Sequence, residues 1–224
     1  GLVEPIDDLR STNPPSNEEL MDALARDFVA HRFDIKQLMR TIMASRLYQL
    51  DSRPTEANRA DQRYYSYYRV KRLAAEPLLD CIDYATGVPT KHQNLPLGTR
   101  ATELPDANTT SPFLVTFGKP KRASVCECER TPDENLSQAL HMLNGDIVAA
   151  KIADGNGRVA KLVSAQKSVD EVISELYQVT LVRPPRPAEI EYVRKLVAES
   201  PSLVDTYQDL LWALINSKEF LFVY

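Results

Sequence analysis

Apolar residues recur at helical spacing along most of this chain. Leu20, Met21, Leu24 and Phe28 form one stripe, and Ile35, Leu38, Met39, Ile42, Met43 and Leu47 form a second. Ser16-Asn17-Glu18-Glu19 reads as a capping box for the first helix, with Ser16 at the N-cap. Asp34 caps the second, with Gln37 in the box position. The short link His31-Arg32-Phe33 makes residues 16–50 an αα-hairpin.

The same signals recur downstream. Glu76-Pro77 opens a helix that ends near Gly87, and Thr131-Pro132-Asp133-Glu134 opens another that breaks at Gly145. Ser168-Val169-Asp170-Glu171 is a second capping box, for a helix through about Leu181. Pro187 starts one more helix. Ser200-Pro201 starts the last, with Tyr207, Leu210, Leu211, Leu214 and Ile215 facing inward.

Residues 88–131 carry no helical period. There, residues 113–117 and 124–128 are predicted as two short strands turning at Gly118-Lys119-Pro120. The pattern therefore predicts a mainly α fold. It is a multi-helix bundle of about eight helices with a long irregular central segment and one small β-hairpin. Residues 1–224 read as a single domain, built of the hairpin 16–50, the irregular segment 88–131 and the C-terminal helices 132–224.

A weak repeat crosses this plan. Leu38, Ile42, Ser45, Tyr48 and Leu50 match Leu210, Leu214, Ser217, Phe220 and Phe222 at one constant offset. Any two amphipathic helices align on apolar residues, but the shared serine and following aromatic point to duplication of a helical hairpin.

Composition narrows the function. Seven glycines suit a helical protein, and the fifteen prolines punctuate helices instead of interrupting them. A net charge of −4 gives no general pull toward nucleic acid or anionic membranes. No apolar run approaches the length that spans a bilayer. The chain opens on Gly1-Leu2-Val3-Glu4 without a methionine and reads as a piece of something longer.

Candidate chemistry is sparse. Cys126 and Cys128 precede the helix start at Thr131, where a thiolate is favoured. With Cys81 they make a disulfide, a redox pair or a set of buried thiols. No metal site is expected, because zinc needs four convergent ligands and no second paired-ligand motif exists. No Cys-x-x-Cys-His occurs, so this piece attaches no c-type haem.

Arg100, Glu103 and Asp106, with Arg130 further on, are candidates for an anion or sugar site. Glu103 and Asp106 are the candidate acid/base pair, against the alternative of a salt-bridged loop pinned to the helices. Residues 64–72 interleave aromatics and cations; Tyr65, Tyr68 and Arg69 are candidate ligand-binding residues there. The alternative is that the tyrosines fill the edge of the core while Arg69 and Arg72 pair with acids such as Glu76. No glycine-rich phosphate loop, serine-nucleophile elbow or two-histidine zinc motif is present.

Spaced motifs then identify a family resemblance. They include Gly1-Leu2-Val3-Glu4-Pro5, Asn13-Pro14-Pro15-Ser16, Phe33-Asp34-Ile35-Lys36-Gln37-Leu38 and Ser45-Arg46-Leu47-Tyr48-Gln49-Leu50. Arg72-Leu73-Ala74-Ala75-Glu76, Phe117-Gly118-Lys119-Pro120 and Cys126-Glu127-Cys128-Glu129-Arg130 follow. Leu136-Ser137-Gln138-Ala139-Leu140 and Asn216-Ser217-Lys218-Glu219-Phe220-Leu221 close the series. The chain resembles, nearly end to end, the planctomycete-type domain of unknown function 1553, also called PSD1.

The resemblance implies the C-terminal part of a large exported protein, periplasmic or extracellular, whose upstream domains often include a cytochrome-c-like one. Haem c is then expected upstream, with no cofactor in this piece. It carries over no catalytic residues, and Arg186 stands at a cap position where the family often has threonine. The expected function is a non-catalytic binding or interaction module acting through residues 96–130 and 64–72. Its partners would be upstream domains of the same polypeptide or an extracellular polysaccharide, without nucleic acid. The alternative is an enzyme acting on polysaccharide or another acidic polymer in a cleft holding Arg100, Glu103 and Asp106.

Overall fold

The computed structural model describes residues 2–4, 8–61, 64–105, 111–120, 138, 142 and 145–223. Among these are ten α-helices, one 3-10 turn and a two-stranded sheet, so the protein is mainly α. The described residues fall into two compact units, one within 1–71 and one within 72–123 and 130–223.

The first unit is the helical hairpin α1 (Glu18–Ala30) and α2 (Ile35–Met43). Asp34 caps α2 as expected, accepting from Gln37 N–H at 3.0 Å. The cap of α1 is Asn17, one residue later than expected; its side chain accepts from Leu20 N–H at 2.8 Å. Asparagine and serine serve equally well there, which leaves the Ser16 hydroxyl free to meet Tyr65. Arg32 and Phe33 turn the chain with φ of 55° and 62°, and Phe33 meets Phe28 edge-on at 5.4 Å.

The apolar stripe on α2 is present but not buried. None of the described residues of this unit is buried, and Ile35, Met39 and Met43 lie about half or more exposed. Among the described residues of this unit, two helices present one apolar stripe to each other and bury only part of it.

The second unit holds the core. It contains α3 (Ala75–Thr86), a 3-10 turn (Ala101–Glu103), α4 (Pro112–Thr116), α5 (Asp146–Ile152) and α6 (Arg158–Ser164). After these come α7 (Val169–Leu181), α8 (Pro187–Glu199), α9 (Leu203–Ile215) and α10 (Lys218–Leu221). Leu78, Leu79 and Ile82 of α3, Ile173 and Leu176 of α7, and Leu211 and Ile215 of α9 are fully buried in one cluster. β1 (Lys71–Arg72) pairs with β2 (Phe222–Val223), and Leu73 N–H donates to the Leu221 carbonyl at 3.0 Å.

Local chemistry explains these boundaries. Gly87 ends α3 with φ of 71°, as a left-handed C-cap favours. Ser168 and Glu171 cap each other reciprocally: Glu171 Oε2 accepts from Ser168 N–H at 2.9 Å, and Ser168 Oγ from Glu171 N–H at 3.4 Å. The last long helix starts at Leu203 on the cap Ser202, slightly later than Ser200-Pro201 suggests. The helix start at Thr131 lies outside the described residues. Gly145 stands as the N-cap of α5.

The predicted hairpin strand at 113–117 is instead helix α4. Ser111 caps it, accepting from Leu114 N–H at 3.2 Å, and Pro112 fits its first turn. Phe113 and Phe117 then stack at 4.4 Å, one helical turn apart. The strand predicted at 124–128 lies outside the described residues.

The irregular segment is pinned to α3. Asp83 accepts from Thr90 N–H at 2.6 Å and Thr90 Oγ1 at 2.9 Å. Asp80 accepts from Ala101 N–H at 2.6 Å and Thr102 Oγ1 at 2.7 Å. Lys151 of α5 donates to the Val88 carbonyl at 2.7 Å and pairs with Asp83 at 2.8 Å. Carboxylates three apart on one helix face thus satisfy backbone groups that no ladder serves.

Candidate functional site

The first unit contains a cleft of about 620 Å³ lined by Tyr48, Tyr65, Tyr67, Tyr68, Arg69 and Lys71, with Glu4, Ser16, Ile42, Ser45 and Leu47. Its aromatic wall is shaped by a polar loop. Asp61 accepts from Tyr64 N–H at 2.8 Å, Ser66 N–H at 2.9 Å and Ser66 Oγ at 2.6 Å. Asn58 donates to the Ser66 carbonyl at 3.1 Å. Between these anchors Tyr65 is held at φ of 55°, a left-handed backbone that aromatic residues rarely adopt. Its hydroxyl lies 3.0 Å from Ser16 Oγ. Strain of this kind gathers where surrounding contacts fix a side chain for use.

Tyr48 enters from the end of α2, and its ring meets that of Tyr68 edge-on at 6.2 Å. Tyr68 N–H donates to the Asp51 carbonyl at 3.0 Å, which sets that side of the wall. Burial pushes the Tyr68 phenol above its ordinary value, with Tyr48 adding to the shift. The phenol is therefore a neutral hydrogen-bonding group at physiological pH.

Arg69 and Lys71 are exposed and form no ion pair with any described residue. In the second unit Lys151, Arg158, Lys167, Arg183 and Arg194 each pair with a carboxylate. The cleft thus offers two available cations against one lining carboxylate, Glu4. Aromatic faces, hydroxyls and unpaired cations in one concavity can stack a ring and hold an anion.

Of the residues expected to bind ligand, Tyr65, Tyr68 and Arg69 come together here. Arg100 and Glu103 do not line this cleft; they pair with each other in the second unit. Arg100 Nη2 donates to Glu103 Oε1 at 3.1 Å and Arg100 N–H to Oε2 at 3.2 Å, which closes the 3-10 turn. Those bonds, the backbone one foremost, hold the Glu103 carboxyl below its ordinary value. Asp106 and Arg130 lie outside the described residues, as do Cys126 and Cys128. Cys81 is a free, half-buried thiol. Burial pushes it up and Asp80 adds to this, the reverse of an activated thiolate.

Reading the sequence missed Tyr48, which lies on a different element from the aromatic cluster, and placed Tyr67 and Lys71 in that cluster without singling them out. The repeat that pairs Ser45-Tyr48 with Ser217-Phe220 was the available signal. It also missed Asp80, Asp83 and Lys151, for which the three-residue spacing of the two aspartates on α3 was a faint one.

A second concavity of about 540 Å³ lies along α7 and is lined by Lys167, Asp170, Glu171 and Glu175 among others. Its charges are already satisfied. Lys167 pairs with Glu171 at 2.8 Å, Arg158 with Glu175 at 2.7 Å and Arg194 with Asp170. Among the described residues no group of three or more His, Cys, Asp or Glu comes together to hold a metal ion, and no helix is long and apolar enough to cross a membrane.

Comparison with known families places the chain in one of them. The family described as PSD1, protein of unknown function (DUF1553), covers residues 1–197. No curated protein and no solved structure matches the chain.

Proposed function

Since the chain belongs to the PSD1 (DUF1553) family, we propose that it is a non-catalytic binding module whose recognition surface is the tyrosine and cation cleft of the first unit. Its ligand is a saccharide, taken up outside the cytoplasm as part of an exported multidomain protein. Any haem c belongs to an upstream, cytochrome-like domain of that protein. The observation that carries this reading is the convergence of Tyr48, Tyr65, Tyr67 and Tyr68 on one open concavity. Tyrosine gives a sugar both a flat apolar face and a hydroxyl, and it loses little side-chain freedom on binding.

The state of Glu103 supports a binding role over an enzymatic one. A general acid needs a raised carboxyl, whereas Glu103 is exposed, paired with Arg100 and shifted down.

The test is a screen of the 224-residue chain against soluble polysaccharides by calorimetry. Binding should appear without any rise in reducing ends. The double variant Tyr48→Ala/Tyr68→Ala should abolish it while the helical circular dichroism is kept. Binding that survives the double variant places recognition elsewhere, and chain cleavage of the bound polymer overturns the non-catalytic reading.

A further inference from the structure

We propose that the saccharide taken by this cleft is anionic, a chain whose acidic groups are held by Arg69 and Lys71. This rests on the cleft reading above and deepens it. Both cations line the cleft, and neither is spent on a protein carboxylate among the described residues. Lys71 opens β1, and Arg69 stands two positions before it on the same stretch of chain. Two available cations in one cleft suit the acidic groups of a bound chain.

The rest of the cleft fits the same ligand. The rings of Tyr48 and Tyr68 meet edge-on instead of stacking closed, which leaves ring faces for sugars. Ser16 and Ser45 add hydroxyls to the wall, as a polyhydroxylated ligand requires. The anion preference is local, because the whole chain carries a net charge of −4. A nucleic acid would call for a longer basic track than two cations. Carboxylates of uronates and sulfate esters share this chemistry, since Arg and Lys hold either.

The experiment uses the full chain and two matched pairs of polymers: polygalacturonate against its methyl ester, and dextran sulfate against dextran. Calorimetry should show an acidic polymer binding about tenfold or more tightly than its neutral partner. Arg69→Gln/Lys71→Gln should remove that difference. Preference for polygalacturonate assigns the site to carboxylates, and preference for dextran sulfate to sulfates; either supports the proposal.

Equal binding of charged and neutral partners, unaffected by Arg69→Gln/Lys71→Gln but lost in Tyr48→Ala/Tyr68→Ala, overturns the anion preference and leaves the cleft reading standing. Absence of saccharide binding, or binding indifferent to the tyrosine variant, removes the cleft reading itself and this proposal with it. A single-stranded oligonucleotide that displaces the bound acidic polymer also overturns it.

Discussion

Ser45 and Ser217 make the same pair of hydrogen bonds. Ser45 Oγ donates to the Ile42 carbonyl at 2.6 Å and accepts from Tyr48 N–H at 3.2 Å. Ser217 Oγ donates to the Leu214 carbonyl at 2.7 Å and accepts from Phe220 N–H at 3.2 Å. Each serine ends one helix and starts the next turn, at positions the sequence repeat brings into register. The aromatic that follows meets opposite fates. Phe220 is 5% exposed, inside the core, and Tyr48 is 49% exposed, on the wall of the cleft. One local device therefore closes a core in the second unit and opens a binding surface in the first.

The two serines should differ in their worth. Ser217→Ala removes a half-buried cap and should cost about 1–2 kcal/mol of unfolding free energy in urea. Ser45→Ala, whose hydrogen bonds are exposed where those of Ser217 are partly buried, should cost about 0.5 kcal/mol, the low end of the same scale. Equal losses at both sites would break the parallel.

How much of this was legible in the sequence depended on whether a signal was local. The reciprocal cap of Ser168 and Glu171, the Asp34 cap and the left-handed Gly87 sit within a few residues of what they control, and all read correctly. The run at 113–117 is apolar throughout, so periodicity alone cannot separate strand from helix; Ser111 and Pro112 decided it. The stripe on α2 gave the helix but not its burial, because burial depends on a second layer that local pattern does not report. Asp80 and Asp83 hold backbone groups of a segment with no period of its own, which no spacing rule connects to α3. The cleft was half visible, since Tyr65, Tyr68 and Arg69 share one segment while Tyr48 arrives from another.

Arg186 offers a stabilising change. It stands at the N-cap of α8 without a side-chain cap bond, while Glu189 already accepts from its backbone N–H at 2.6 Å. Arg183 locks that glutamate from two nitrogens at 2.9 Å and helps hold its carboxyl down to about 2. Arg186→Thr completes the capping box and should raise stability by about 0.5–1 kcal/mol in thermal unfolding. A loss of stability would mean the arginine has a role beyond the cap.

Lys151 should be among the most sensitive polar positions. It is 8% exposed and joins α5 to Asp83 of α3 and to the Val88 carbonyl. Lys151→Met keeps most of the volume but leaves the Asp83 carboxylate with Thr90 alone. The expected cost is about 3 kcal/mol, as for a buried pair that loses one partner. Adding Asp83→Asn should recover part of it, which denaturant titration of the two single variants and the double would measure. A double variant as unstable as the sum of the singles would show that the two side chains are not coupled.

His92 makes stability depend on pH in a direction that can be worked out. Its ring is buried, and its Nε2 has no hydrogen-bond partner among the described residues. Burial lowers its pKa first; Asp83 and Asp80 pull it back up, and Lys119 and Lys151 push it down. The folded protein therefore holds the neutral ring at a pH where the unfolded chain, near the ordinary value of 6.5, already takes a proton. The contribution of His92 is present above that value and is lost as pH falls, until the folded ring protonates too. As pH falls below 6.5, the unfolding free energy should drop, by no more than about 1.4 kcal/mol per pH unit from this one group. Glu171 and Glu189, held at about 2, stay ionised throughout that window. His92→Leu should flatten the slope measured by denaturant unfolding at both ends of the range, and an unchanged slope would exclude His92 as its source.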